Sequence, residues 1–333
     1  MSRKSSRATI KDVAREADVS ISSVSRALNG LTANQELLQR VNDAVKLVEY
    51  VPSQIGQSFK SQRTGQVAIA VPDISNGSYL ALVKEAQRVF SEAGYRTTLI
   101  NTGGNSADDL KLIRSLRQKY VDGLIFTSIR PTAELIEEIE ASELPVVVVG
   151  SIQDAVSFDV VSTDSKQAAR LAVEHLVSQG CRKIGLIAGP LDTVPGRNRY
   201  EGFLAAASEL GVFDEKNVAI LKDFEFDSGL EAAKSLITQG VDGILGSTDI
   251  LALSVLHVAR DAGLSVPLNI RVVGVDNSEA ARLAIPRLTS IDLGATERGR
   301  LAAEFLTSRL NGFDSAPKTT IVRPRIVVRE SSL

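Results

Sequence analysis

From residue 66 onward the chain alternates short β-branched runs with longer stretches of helical periodicity. The runs are QVAIAVP, RTTLINT, DGLIFTS, PVVVVG, RKIGLIAG, VAILKD, DGILGST and RVVGVD, and several intervening helical stretches end in glycine (Gly94, Gly180, Gly211, Gly240). Runs apolar on both faces and separated by helices require parallel sheets covered on both sides. VDGLIFTS at 121–128 echoes VDGILGST at 241–248. The echo predicts two similar α/β lobes, lobe one over about 66–160 plus 294–322 and lobe two over about 162–290 plus 323–333. The last segment supplies one more helix, near 296–310, and two strands, and crosses back between lobes. Ligands of open α/β sheets sit beyond the carboxyl ends of the strands. With two lobes face to face, that place is the cleft between them.

The first 51 residues follow another pattern. Thr9 and Asp12 have capping-box spacing, and Ile10, Val13, Ala14 and Ala17 form one apolar face, so a helix is expected over 10–17. ADVS then reads as a tight turn, with Ser20 capping a second short helix. In that helix Val24, Ala27 and Leu28 form an apolar back, while Ser22, Arg26 and Asn29 form a front of hydrogen-bond donors. A solvated surface helix has the same pattern; the turn and the shared apolar seam favour a helix-turn-helix. The start of its second helix enters the major groove, where hydroxyls reach phosphates and arginine reads guanine. Thr32 and Gln35 repeat the capping spacing before a third helix with Leu38, Val41, Val45 and Val48 on one face. Residues 1–65 carry ten Lys/Arg against six Asp/Glu, a balance of +4 in a chain of net charge −2. A mildly basic head on an acidic body suits phosphate contact by the head.

Composition excludes other classes. Apolar residues make up 44% of the 333, enough for two or three domains with sizeable cores. The single cysteine, Cys181, forms no intramolecular disulfide, in keeping with a reducing, cytoplasmic setting. No apolar stretch follows the basic start, so no secretory signal is expected, and none approaches a membrane span. The two histidines, His175 and His257, fall on separate helical segments. No metal constellation, phosphate loop or nucleophile elbow accompanies them. Neither catalysis nor a cofactor is expected, and His175 reads as a packed helix residue.

ATIKDVAREADVSISSVSRALNG, VPDISN, YVDGLI, ARLAVEHL, GP, RYEGF, VVGVDNSEA and the ending VVRESS together resemble the lac/purine-repressor family of bacterial transcription regulators. The resemblance covers nearly the whole chain. It implies a DNA-binding headpiece over 1–51, a hinge helix or linker over 52–65, and a two-lobed core over 66–333 of periplasmic-binding-protein type. It also implies a homodimer on palindromic operator DNA. The chain ends without a heptad segment, so a dimer rather than a coiled-coil tetramer is expected.

Residue by residue, the resemblance makes Ile21, Ser22 and Arg26 the base-reading positions. A partly buried core residue is the competing account of Ile21. Thr9, Ser20, Ser23, Ser25 and Asn29 become phosphate or capping residues. In the hinge, VPSQIGQSFKSQRTGQ, Ser53, Gly56 and Phe59 are DNA-contacting candidates. Phe59 stands where relatives place a minor-groove leucine, and Gly56 where they place alanine.

In the cleft, Arg199 and Asp276 match the most consistent effector positions, and Phe224 a stacking aromatic. Tyr79, Thr127, Thr248 and Asp73 are further candidates. Asp249 reads as the cap of the following helix and Arg197 as an ion-pair residue. A fork of donors with an acceptor for two hydroxyls suits a polyol or sugar. This chain departs from relatives at Gly77 and Ser78, where aromatics are frequent, at Gly150 in place of a carboxylate, and at Thr248 in place of asparagine. The function implied is a repressor of carbohydrate-utilisation genes, released by a small sugar-like effector. The alternatives are a regulator requiring a purine or sugar-phosphate corepressor and, more distantly, a solute-binding protein without DNA function.

Overall fold

The computed structural model describes residues 8–51, 63–152 and 156–333, and contacts divide the chain after Thr64 into two units. In the N-terminal unit, α1 (Ile10–Glu16), α2 (Ile21–Leu28) and α3 (Gln35–Leu47) surround Val13, Val24 and Val41, which are fully buried. Ala14, Ala17, Ala27 and Ala44 fill the rest of that seam, and their small side chains let three short helices close on one another. The Asp12 carboxylate accepts from Thr9 N (2.9 Å) and Thr9 Oγ (2.7 Å), and Ser20 Oγ accepts from Ser23 N. The turn between α1 and α2 passes through Asp18 at φ +50° and is held by Arg40, which donates to the carbonyls of Ala17 and Asp18. The expected Thr32–Gln35 capping box is absent. Gln35 is the first residue of α3, so the cap is Asn34, whose Oδ1 accepts from Leu37 N at 3.0 Å.

The second unit holds two six-stranded sheets. The first has order β11-β5-β4-β3-β1-β2 and is parallel throughout: β1 Gln66–Val71, β2 Arg96–Asn101, β3 Gly123–Phe126, β4 Val146–Val149, β5 Asp159–Thr163 and β11 Thr319–Val322. The second has order β12-β10-β9-β8-β6-β7: β6 Ile184–Ala188, β7 Val218–Ile220, β8 Gly243–Gly246, β9 Arg271–Val275, β10 Thr289–Asp292 and β12 Arg325–Val327. It is parallel except for the β10–β12 pair. The echoing segments are β3 and β8, which occupy the same place in the two orders.

In lobe one, α4 (Gly77–Glu92) and α12 (Ala295–Leu310) pack on one face of the sheet, and α5 (Ser106–Ser115) and α6 (Ala133–Glu140) on the other. The approach of α4 to α12 is close because Gly299 has no side chain: a Cβ there would lie 2.3 Å from the Leu82 carbonyl oxygen. In lobe two, α7 (Ser165–Ser178) and α8 (Val194–Glu209) cover one face. On the other lie α9 (Phe226–Thr238) and α10 (Asp249–Asp261), with α11 (Glu279–Leu283) beside α10.

The chain crosses between lobes at Asp164, at Leu293–Gly294 and at Arg323–Pro324. β5 carries the first sheet to Thr163 and β10 carries the second to Asp292, a few residues past the limits expected near 160 and 290. Both strands were invisible to the hydropathy pattern. β5 is pinned instead by Arg309, which grips the buried Asp159 with two bonds of 2.8 Å.

Candidate functional site

In the helix-turn-helix unit, α2 presents Ile21, Ser22 and Arg26 on its exposed side. Ile21 is 45% exposed, so it is not a core residue. Ser20, Ser22 and Ser23 share hydroxyl hydrogen bonds of 2.7 and 2.9 Å, and Asn29 Nδ2 donates to the Ser25 carbonyl at 2.7 Å. These hydroxyls therefore rigidify the start and end of α2. Arg26 makes no ion pair among the described residues. Thr9 stays exposed at the entry of α1. The hinge candidates Ser53, Gly56 and Phe59 lie outside the described residues.

The core unit carries a cavity of about 900 Å³, counting its open mouth, between the facing ends of the two sheets. Asp73, Tyr79, Thr127, Arg199, Phe224, Thr248 and Asp276 all line it. The topology places them there, because nearly all follow the carboxyl end of a strand: Asp73 after β1, Thr127 after β3, Phe224 after β7, Thr248 after β8 and Asp276 after β9. Tyr79 comes from the first turn of α4 and Arg199 from the second turn of α8, a helix started by Thr193, whose hydroxyl accepts from Gly196 N. The Phe224 ring packs directly on Gly189. A Cβ at 189 would come within 2.0 Å of the ring, so only glycine leaves the aromatic room at the cavity wall.

Arg199 is the organising group. Its Nη1 donates to the Ser247 carbonyl at 2.6 Å, its Nη2 stands 3.6 Å from Asp276 Oδ1, and its Nε is buried without a hydrogen bond. Burial pushes the Asp276 carboxyl up, and Arg199 and Arg298 counter that shift. Burial also pushes the Tyr79 hydroxyl up to about 12, with Asp276 adding to it, so Tyr79 is a neutral donor. Asp276 and Asn277 sit at φ +116° and +52°, unusual for side chains other than glycine. Such backbone costs on the order of 1–3 kcal/mol and persists only where neighbours hold it.

Those neighbours correct an expectation. Asp249 does not cap α10: Thr248 does, its Oγ1 accepting from Leu251 N. Asp249 instead accepts from Ser278 N at 2.7 Å and Ser290 Oγ at 2.5 Å, clamping the loop that carries Asp276. Its carboxyl is pushed up to about 7 by burial and then by Asp276. The Thr248 hydroxyl is thus already engaged, whereas Thr127 Oγ1 is buried with no partner. Arg197 makes no ion pair among the described residues. Arg298, in the first turn of α12, also lines the cavity and was not a candidate from sequence. Its signal was a cation at a helix start, where the dipole disfavours one.

Neither histidine lines the cavity. His175 is tied to Ser332 Oγ at 2.7 Å, and His257 meets Asp261 and the Phe226 ring. Among the described residues no three metal-binding side chains cluster, and no helix is long and apolar enough to cross a membrane.

A helix-turn-helix unit joined to a two-lobed α/β unit with a polar cavity defines a class, the ligand-responsive DNA-binding regulators. Residues 9–53 match bacterial regulatory proteins of the lacI family, and residues 173–332 match the periplasmic binding protein-like domain. The chain is 31% identical to the ribose operon repressor of Halalkalibacterium halodurans over 97% of both chains. It is 32% identical to catabolite control protein A of Priestia megaterium over 91% of this chain and 92% of that one. Among solved structures, the regulator CelR bound to cellobiose has a TM-score of 0.72 at 29% identity, covering 98% and 100% of the two chains. The lac repressor dimer on its operator has a TM-score of 0.87 at 22% identity over 98% and 100%, a likeness of fold. The chain belongs to the lacI family of bacterial transcription regulators, which are not enzymes.

Proposed function

We propose that this regulator represses carbohydrate-utilisation genes, and that a small sugar-like molecule in the inter-lobe cavity changes its affinity for a palindromic operator bound by a homodimer. The observation that carries the reading is the cavity itself. A fork of guanidinium donors, an opposed carboxylate and an aromatic face converge there, the set that binds hydroxyls on one side of a sugar ring and its apolar face on the other. The names of its relatives, a ribose operon repressor and a cellobiose-bound regulator, support the same chemistry. Induction is the favoured sign: ligand binding would hold the lobes in an arrangement that weakens DNA binding, and about 1–3 kcal/mol of coupling suffices.

The test uses the full chain and an operator selected from random DNA. Arg199→Ala and Asp276→Ala should retain operator affinity while losing the response to the sugar that releases the wild type. If both variants keep the wild-type ligand affinity by calorimetry, the cavity is not the effector site. Arg26→Ala should cost about 1–3 kcal/mol on the operator and much less on random DNA, as expected for guanine reading.

A further inference from the structure

Three buried polar atoms in the cavity wall have no hydrogen-bond partner: Arg199 Nε, Thr127 Oγ1 and Arg298 Nε. The first two belong to groups whose surroundings are otherwise balanced. Arg199 has the Ser247 carbonyl and Asp276, and Thr127 is neutral. Arg298 differs. It is 7% exposed, and no carboxylate lies within 4.0 Å of its guanidinium among the described residues.

The cavity's two acids are already engaged. Asp73 accepts from Ser75 N and Ser75 Oγ, each at 2.8 Å. Asp276 lies against Arg199, with Asn76 also favouring its charged form. Arg298 also stands in the first turn of α12, after a glycine cap that offers no side chain. There the unpaired backbone N–H groups and the helix dipole are both positive. Burial pulls the Arg298 guanidinium below its ordinary range, and the attraction of Tyr79, Asp276 and Asp292, opposed by Arg199, only partly offsets this. Asp292 is itself paired with Arg325. A desolvated cation on the positive end of a helix, with no carboxylate in ion-pair range, is a costly placement. A hydroxyl would satisfy its N–H groups but not its charge.

Resting on the reading of this cavity as the effector site, we infer that its ligand is an acidic carbohydrate, a sugar ring carrying one carboxylate or phosphate that pairs with Arg298. Arg199 and Asp276 then bind ring hydroxyls, and Phe224 stacks on the ring.

The experiment is calorimetry on the full chain with matched sugars. D-glucose is compared with D-glucuronate and D-glucose 6-phosphate, and D-galactose with D-galacturonate and D-galactose 6-phosphate. For at least one pair the wild type should bind the anion about tenfold or more tightly than the neutral sugar, the size of one charge-assisted contact. Which anion wins separates carboxylate from phosphate. Arg298→Leu should erase that preference while raising the melting temperature of the free protein, because it removes a buried, unpaired charge. If Arg298→Leu does not fold, Arg298→Gln serves the same comparison, and a folding failure of both makes Arg298 a structural residue and overturns the proposal. An unchanged preference in a folded variant also overturns it. Neutral sugars bound as well as or better than their acids overturn the proposal and leave the cavity's carbohydrate reading standing. No binding by any of the six, with operator binding intact, overturns both.

Discussion

The echoing strands β3 and β8 start alike and end differently. At their amino ends Asp122 and Asp242 do the same work. Asp122 Oδ2 accepts from Gly65 N, just before β1, and Asp242 accepts from Arg182 N and Lys183 N, just before β6. Each aspartate pins the entry of the neighbouring strand. Gly123 and Gly243 follow, and a Cβ at either would press on side chains only, Leu306 in the first case and Cys181 with Leu176 in the second. At the carboxyl ends the likeness stops. Phe126 fills the lobe-one core, whereas its counterpart Gly246 lets α10 lie directly on the strand. Thr127 keeps an unpartnered hydroxyl in the cavity, whereas its counterpart Ser247 accepts from Gly189 N with its hydroxyl and from Arg199 with its carbonyl. The amino ends build a fold that both lobes share; the carboxyl ends divide a site between them. Lobe two supplies a pre-paired charge network, and lobe one supplies groups left open.

The largest expected effect breaks the equivalence of Phe126 and Gly246. A Cβ at 246 would sit 2.4 Å from the backbone nitrogen of Ala252, which cannot rotate away. Gly246→Ala should cost about 3 kcal/mol or more. Gly123→Ala and Gly243→Ala meet only side-chain ends at 2.8 and 2.9 Å, and each should cost well under half of that. Urea denaturation of the three variants checks the order. Equal losses at 243 and 246 would show that helix approach is not what Gly246 provides.

The second effect is electrostatic and belongs to lobe two. Burial, and then the neighbouring Asp276 charge, raise the Asp249 carboxyl from an ordinary 3.8 to about 7, although the Arg329 guanidinium also faces it. A carboxyl raised by folding is protonated in the native state while the unfolded chain has already ionised. Its stabilising contribution is complete below about pH 4 and is lost as pH rises to about 7, at no more than roughly 1.4 kcal/mol per pH unit. His175 acts in the opposite direction, since burial lowers its pKa and protonation at low pH disfavours the fold. Asp249→Asn isolates the carboxyl. The variant should gain stability relative to wild type as pH goes from 5 to 8. A difference that does not change with pH would place an ordinary carboxylate at 249.

How legible this was from sequence depends on the range of the interactions. Strand runs such as VVVV at 146–149 and the helix-turn-helix seam are local patterns, read from period and spacing. β5 was missed because its five residues, DVVST, hold only two valines. Its place depends on Asp159 meeting Arg309, 150 positions away. The cavity residues at strand ends were legible because parallel topology fixes where those ends meet. Arg298 was not: a helix near 296–310 returning to lobe one is expected, but an arginine at its start reads as an exposed residue, and only tertiary packing buries it at the cavity. Asp249 was misread as a cap because Thr248 and Asp249 are both capping types, and the residue in extended backbone (φ −139°) takes the role.

The third prediction tests the shared amino ends. Asp242→Ala strands two backbone N–H groups and should cost about 2 kcal/mol, whereas Asp122→Ala releases the Gly65 N–H and should cost about 1 kcal/mol. Neither should alter ligand affinity measured by calorimetry, because both lie at the far end of their strands from the cavity.

The smallest effect is the sharpest test of the divided carboxyl ends. Ser247→Ala removes the acceptor for Gly189 N and should cost about 1 kcal/mol in the free protein. Thr127→Val makes the opposite trade. It replaces a buried hydroxyl that has no partner by a methyl group of the same shape, so the free protein should lose nothing and gain up to about 1 kcal/mol. The same change should weaken the releasing sugar about five- to tenfold, if ligand is what the hydroxyl awaits. Melting temperature and ligand affinity therefore move in opposite directions for Thr127→Val, whereas for Ser247→Ala they fall together, because Gly189 backs the Phe224 ring. If Thr127→Val lowers stability and leaves affinity unchanged, the hydroxyl belongs to the lobe-one fold, and the two carboxyl ends are less different than their partners suggest.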